Sequence, residues 1–281
     1  MIPSKFEYVK PTSLAEAFSL LGNDGAKALA GGHSLIPMMK LRLAEPELLV
    51  DLGSIAELKE NSFDGKRFTV GAMTKHAALA ASDELRKHAP VLYEAATQLG
   101  DPQVRNRGTI GGALANGDPA CDYAAVAHAL GATFTILGKS GTREDTADGF
   151  MTGMFETSLK PDEILAKISF DAAPASAYIK YHHPASHFAI VGVAVVLTLA
   201  GGKIASARIG ITGVGEHAFR AGAVEKALIG LSPSDDAAVL AASSGSAAGQ
   251  DVRSDTSASA KYRSAVCDVY VARTVKAAGT R

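Results

Sequence analysis

The sequence predicts an α+β protein in two parts, and three observations carry that prediction. Up to about Ala172 the chain alternates short strand-like runs with helix-like ones. Beyond Ala175 the pattern becomes strands first and helices second, which belongs to an α+β domain. Two glycine pairs, Gly31-Gly32 and Gly111-Gly112, each close a strand-like run and open a polar turn.

Taken in order, residues 6–9 read as a short strand, and Ser13 with Glu16 has the spacing of a capping box opening a helix that runs to Gly22. Residues 27–30 form a second strand, the first glycine pair a turn, residues 37–40 one helical turn and residues 48–51 a third strand. Together these make a β-α-β-(α)-β unit of about fifty residues. A second unit begins with a strand at 68–71; Thr74 and Ser82 stand where helix N-caps are expected, and a helix over 89–99 is closed by Gly100. Residues 101–108 lead into the second glycine pair, Asp122 starts a helix over 123–130, and residues 133–137 read as a strand. The small-residue stretch 172–176 reads as a linker. After it, 178–181, 188–199 and 204–213 read as antiparallel strands, the last two joined by the hairpin at 200–203. Helices are expected over 221–229, 235–248 and 258–278. The limits are a first domain over 1–175, with lobes over about 1–55 and 56–175, and a C-terminal domain over 176–281.

A chain of 281 residues that is 47% hydrophobic can fill one large or two ordinary cores. Its 28 basic and 29 acidic residues are spread along the chain for a net charge of -1, which leaves no basic face for nucleic acid or an anionic membrane. The longest apolar run, 188–200, is interrupted by Gly192 and Thr198 and is too short to cross a bilayer as a helix. The N-terminus lacks the apolar core and cleavage pattern of an export signal. Cys121 and Cys267 are the two cysteines, which suits a reducing compartment and is too few to ligate an iron–sulfur cluster. A cytoplasmic location is expected.

A turn without β-carbons lets consecutive backbone N–H groups converge on one anion, so each glycine pair suits a pyrophosphate held without formal positive charge. Gly-Gly is also a common plain turn, and the residues alone leave both readings open.

Three longer motifs resemble one family. Ala-Gly-Gly-His-Ser-Leu at 30–35, Gln-Val-Arg-Asn-Arg-Gly-Thr-Ile-Gly-Gly at 103–112 and Asn-Gly-Asp-Pro-Ala-Cys-Asp at 116–122 are similar to the FAD-binding medium subunits of the molybdenum hydroxylases, of carbon monoxide dehydrogenase and xanthine dehydrogenase type. His-Pro-Ala-Ser-His-Phe-Ala-Ile-Val-Gly-Val-Ala at 183–194 and Ser-Ala-Ser-Ala-Lys-Tyr-Arg at 257–263 extend the resemblance to the C-terminal part.

The resemblance implies a two-lobed FAD-binding domain of the vanillyl-alcohol-oxidase type, followed by an α+β domain toward which the flavin ring reaches. It places Ala30, Gly31, Gly32, His33, Ser34 and Leu35 on one side of the pyrophosphate and Thr109, Gly111 and Gly112 on the other. A valine at Gly32 or Gly112 would then put a β-carbon where the phosphates approach. Asn116 and Asp122 fall where the family makes polar contacts to the ribityl and adenosine regions, although Asp122 alone also reads as a helix N-cap. Lys180 matches a lysine at the pyrimidine edge of the flavin, where a cation offsets the charge gathered at N1 and O2 on reduction, and it equally reads as a solvated strand lysine. Ile164 or Leu165 would pack on the ring or, as aliphatics, fill a core. His187 departs from the family, which often carries Asp there; it reads as a tuning residue or as a surface histidine. His182 and His183 have no third ligand, so no metal is expected, and Cys121 reads as a small buried thiol.

The resemblance also implies partners: a large molybdenum-cofactor subunit and a small subunit with [2Fe-2S] clusters, arranged as a dimer of heterotrimers. Substrate is oxidised on the large chain, and this chain passes the electrons through FAD to an external acceptor, with no catalytic side chain of its own. Two rivals stay open. A stand-alone FAD oxidoreductase would need an acid or base from Tyr181, His183 or His187, and a non-catalytic nucleotide-binding assembly module would need none.

Overall fold

The computed structural model describes residues 2–281. The chain begins with a three-stranded parallel sheet in the order Glu7–Val9, Leu48–Asp51, Ala26–Leu29. Parallel strands require crossovers, and the helix Leu14–Leu21 carries the chain from one edge strand, Glu7–Val9, to the other, Ala26–Leu29. Its start is fixed by a reciprocal cap: the Ser13 hydroxyl accepts from the Glu16 N–H at 3.3 Å, and the Glu16 carboxylate accepts from the Thr12 N–H at 3.0 Å. The helix buries Ala17 and Leu21 in a core shared with Val50, Leu52, Ile55, Leu58 and Ile164.

A five-stranded antiparallel sheet follows, ordered Asn61–Phe63, Arg67–Gly71, Ile164–Asp171, Thr133–Gly138, Gly141–Thr146. Alternation puts Phe68, Val70, Phe134, Ile136, Ile168 and Phe170 inside, with Phe170 opposite Phe68 and Ile168 opposite both Val70 and Phe134. Three of these strands, Asn61–Phe63, Gly141–Thr146 and Ile164–Asp171, are not among those the sequence predicts. Asn61–Phe63 is only three residues long and Gly141–Thr146 is polar on both faces, so neither shows a clean period of two, whereas Ile164–Asp171 alternates from Ala166 to Asp171 directly after the charged turn at 160–163.

The C-terminal sheet is antiparallel, in the order Ser176–His182, Ala189–Ala200, Lys203–Thr212, Phe219–Arg220, and the helix Ala260–Gly279 lies on it. Gly201 and Gly202 turn its long hairpin with φ of +58° and +74°, a conformation that glycine alone adopts freely. Mixed helix and sheet of this kind is the expected α+β class.

The helix Asp122–Leu130 ties the two sheets together. All of it but Leu130 is buried, because it packs on the five-stranded core on one side and on the C-terminal strands on the other. A β-carbon on Gly210 would overlap the Ala125 carbonyl, so glycine there allows the close approach. Arg208 of the C-terminal sheet donates to the carbonyls of His128 (2.9 Å) and Ala129 (3.2 Å), satisfying the helix end across the interface.

Some expected elements differ. Thr74 is not a cap: its hydroxyl donates to Asn61 at 2.8 Å, and Lys75 precedes the helix His76–Ala80. Ser82 does cap Asp83–His88. Asp122 is the first helical residue, with Cys121 before it, and its carboxylate is committed elsewhere. The helix expected over 235–248 stops at Ala242, because Gly245 and Gly249 take positive φ beyond it. No helix among the described residues is long and apolar enough to cross a membrane.

Candidate functional site

The two glycine pairs take different forms. The first lies in an irregular turn between the strand Ala26–Leu29 and the short helix Leu35–Lys40, with Gly32 at φ +79°. The backbone N–H groups of Gly31, Gly32, His33, Ser34 and Leu35 find no acceptor among the described residues, and His33 and Ser34 are exposed. Five successive unpaired donors in an open turn form the chemistry of an anion cradle.

The second pair is not a turn after a strand. Thr109 is an N-cap, and Gly111 and Gly112 lie in the first turn of the helix Ile110–Ala115. Its donors are largely committed: Ile110 N–H to Thr74 O, Gly111 N–H to Ala72 O at 2.8 Å, and Gly112 N–H to Thr109 Oγ1 at 3.2 Å. The expected N–H donation from Gly111 is therefore corrected, since that group already holds the strand end at Ala72. What this side can offer an anion is the Thr109 hydroxyl proton.

The fold brings the pairs together. A β-carbon on Gly112 would stand 3.0 Å from Ala30 Cβ, and one on Gly31 would stand 2.6 Å from Arg107 O and Gly108 Cα. One on Gly32 would meet Ile36, and one on Gly111 would overlap Ala72. Gly31, Gly111 and Gly112 are thus confined by neighbouring protein atoms, and Gly32 by its φ of +79°. A valine at Gly32 or Gly112 therefore strikes the chain itself, besides putting a β-carbon where the phosphates are expected to approach.

Beyond the helix, Asn116 is half-buried at its C-terminal end. Asp118 accepts from the Ala120 N–H at 2.8 Å, and burial raises its carboxyl. Asp122 and Lys180, expected at separate points of the cofactor, are joined directly: Nζ is 3.0 Å from Oδ1, with the two side chains 2% and 3% exposed. Tyr178 donates its hydroxyl to the same carboxylate, and Lys180 also donates to Gln98 O. Burial pushes the Asp122 carboxyl up, and Lys180 and Tyr178 pull it back. Lys180 is therefore not a solvated strand lysine. Tyr178 was missed, though it lies two residues before Lys180 on one strand and so shares its face.

Ile164 and Leu165 are 3% and 5% exposed and fill two protein cores, so the side-chain stacking expected of them is corrected to core packing. His187 is exposed, at φ +60°, with its ring stacked on His182. His183 accepts the N–H groups of Ala185 and Ser186 on Nδ1, which shapes that loop. Near it, a cavity of about 410 Å³ opens between the two parts of the chain, bordered by Asp118, Phe155, Phe188, Arg253 and Arg263. Phe155 and Phe188 are more than half exposed at its rim, and neither showed as a site residue in the sequence because lone aromatics carry no spacing signal.

Residues 4–171 match the family described as the FAD binding domain in molybdopterin dehydrogenase, and residues 176–278 match the CO dehydrogenase flavoprotein C-terminal domain. The chain is 40% identical to the carbon monoxide dehydrogenase medium chain of Hydrogenophaga pseudoflava, over 100% of this chain and 99% of that one. It superposes with a TM-score of 0.94 on a structure of carbon monoxide dehydrogenase from the same organism that lacks the Mo-pyranopterin moiety of the molybdenum cofactor, at 41% identity over 100% and 99% of the two chains. A structure of quinoline 2-oxidoreductase from Pseudomonas putida 86 gives a TM-score of 0.94 at 31% identity, over 100% of this chain and 99% of that one.

Proposed function

The chain belongs to the FAD-binding medium subunits of the molybdenum-containing dehydrogenases, and from that premise we propose that it holds FAD between its glycine segments and relays electrons from a partner's [2Fe-2S] clusters to an external acceptor. It is the flavoprotein subunit of an oxidoreductase. One observation carries the cofactor reading: five successive free N–H groups at 31–35, packed beside Gly112 and the Thr109 cap. Neutral donors fixed by the fold suit a group that stays bound through repeated redox cycles.

When bound, FAD supplies the electron-accepting and electron-donating chemistry, which no side chain here can provide. The turn at 31–35 and the Thr109 hydroxyl hold the pyrophosphate. In this reading Asn116 and the buried Asp122–Lys180 pair serve its sugar and ring portions. Lys180, paired with Asp122, offsets negative charge at the pyrimidine edge. The cavity rimmed by Phe155 and Phe188 leaves an opening through which an acceptor approaches. Relatives named for carbon monoxide and for quinoline share this fold at 41% and 31% identity, which supports assigning substrate choice to another chain.

The partners in this reading are a large molybdenum-cofactor subunit and a small iron–sulfur subunit in a cytoplasmic dimer of heterotrimers. Native purification tests it: the chain is expected to carry one FAD and to co-elute with a molybdenum chain and an iron–sulfur chain. A solitary chain that turns over substrate by itself overturns the relay, and a chain that stays colourless after incubation with FAD overturns the cofactor site.

A further inference from the structure

A buried histidine lies directly beneath the glycine segments and belongs to none of the motifs. His76 opens the helix His76–Ala80, is 6% exposed, and donates its backbone N–H to Gly108 O at 3.0 Å. Its Nδ1 is 3.1 Å from the hydroxyl of Tyr123, which is buried on the helix Asp122–Leu130 and has no other partner. Its Nε2 lies against Gly108, so close that a β-carbon there would overlap it.

Burial lowers the imidazole to about 4, with His33 and Arg105 adding to the effect, so the ring is neutral at pH 7. A neutral ring has one donor and one acceptor. If Nδ1 donated, the buried Tyr123 proton would have no acceptor, at a cost of about 1–3 kcal/mol. Tyr123 therefore donates to Nδ1, and the ring proton is on Nε2, facing Gly108.

Gly108 has no positive φ, so its backbone does not require glycine. What requires glycine there is the His76 ring, and Gly108 in turn requires glycine at 31, since a β-carbon on Gly31 would stand 2.6 Å from Gly108 Cα. Tyr123, His76, Gly108 and Gly31 thus form a continuous stack running from the core to the cradle. We propose that His76 is a positioning residue of the cofactor site: held by Tyr123, it sets the height of Gly108 and through it the place of Gly31 and the free N–H groups that follow. This rests on the cofactor reading above.

The test measures FAD affinity by flavin fluorescence on the full chain, purified with its co-purifying chains, alongside thermal melting. His76→Ala and Gly108→Ala are each expected to weaken FAD binding about tenfold. The double variant His76→Ala/Gly108→Ala should bind FAD more tightly than Gly108→Ala alone, because the added methyl enters the space the ring leaves. A purely structural role gives losses that multiply, and that result overturns the proposal. Tyr123→Phe keeps the packing and removes one oxygen; it should also lower FAD affinity, and unchanged affinity in this variant overturns the proposal even where the alanine variants fail to fold. Wild-type protein that binds FAD beside variants that bind it equally well sinks the positioning role and leaves the cofactor reading standing. Wild-type protein that binds no FAD sinks both.

Discussion

Lys180→Met removes an ammonium 3.0 Å from a carboxylate in a place where neither side chain reaches water. Breaking such a pair from one side costs about 3–5 kcal/mol, because the remaining charge is buried without compensation. Asp122 limits the loss by taking up a proton, so the penalty depends on pH. Burial already holds its carboxyl above the ordinary range while Lys180 opposes the shift; without Lys180 it rises further. A group raised on folding contributes stability below its unfolded value and loses it as pH climbs toward the folded value. The penalty is therefore smallest near pH 4 and grows by at most about 1.4 kcal/mol per pH unit above that. Urea unfolding of the variant and the parent chain from about pH 5 to about pH 7.5 measures it. Asp122→Asn in the variant background should flatten the pH dependence. A penalty under about 1 kcal/mol, or one that is flat with pH in the single variant, refutes the reasoning.

Two further outcomes follow from the ionisable groups. Asp148, bonded to His128 at 2.8 Å and to Arg220 at 3.3 Å across the junction, has its carboxyl held down to about 2, chiefly by the His128 bond. A depressed carboxyl stabilises above its unfolded value and loses that contribution as pH falls, so Asp148→Asn should be less stable than the parent at neutral pH, by no more than about 1 kcal/mol for a half-exposed group. The two should converge toward pH 2 in acid unfolding followed by circular dichroism; a gap that stays constant below about pH 4 contradicts the pairing. Burial pushes the Cys121 thiol up to about 12 and raises Cys267 as well, so neither should react with a disulfide reagent in the folded chain, and both should react once it is unfolded in urea. Rapid modification of Cys121 in folded protein would contradict its burial.

The parts of the fold that were legible are those fixed by local chemistry. Ser13 and Glu16 announce a cap whatever surrounds them, and Gly201-Gly202 announces a tight hairpin. Ile164–Asp171 alternates from Ala166 to Asp171, but its place as the central strand was not legible, because that is defined by its register with Arg67–Gly71 and Thr133–Gly138, which are far away in sequence. The site divides in the same way. The motif pattern marked segments 30–35 and 109–112, yet not which of their N–H groups are free: Gly111 looks like a donor until Ala72 is brought beneath it. Asp122 and Lys180 each had a bland local reading, and only the packing of the helix Asp122–Leu130 on the C-terminal sheet makes them one pair.

The glycines acquire a different meaning from this packing. A glycine-rich cofactor motif is ordinarily taken to keep space for the ligand, yet here Gly31, Gly108, Gly111 and Gly112 each have a neighbouring protein atom where a side chain would begin. Their common effect is to let three backbone segments, 30–35, 107–112 and the strand end at Ala72, approach to distances that side chains forbid. In the proposed cofactor reading, affinity for the anion comes from what that approach leaves over, namely the donors at 31–35 with no protein acceptor. It follows that substitutions at these glycines act on the cradle's shape before they act on any ligand, so their effects should couple to the residues packed behind them. His76 and Tyr123 are those residues behind Gly108, and Ala72 is the one behind Gly111.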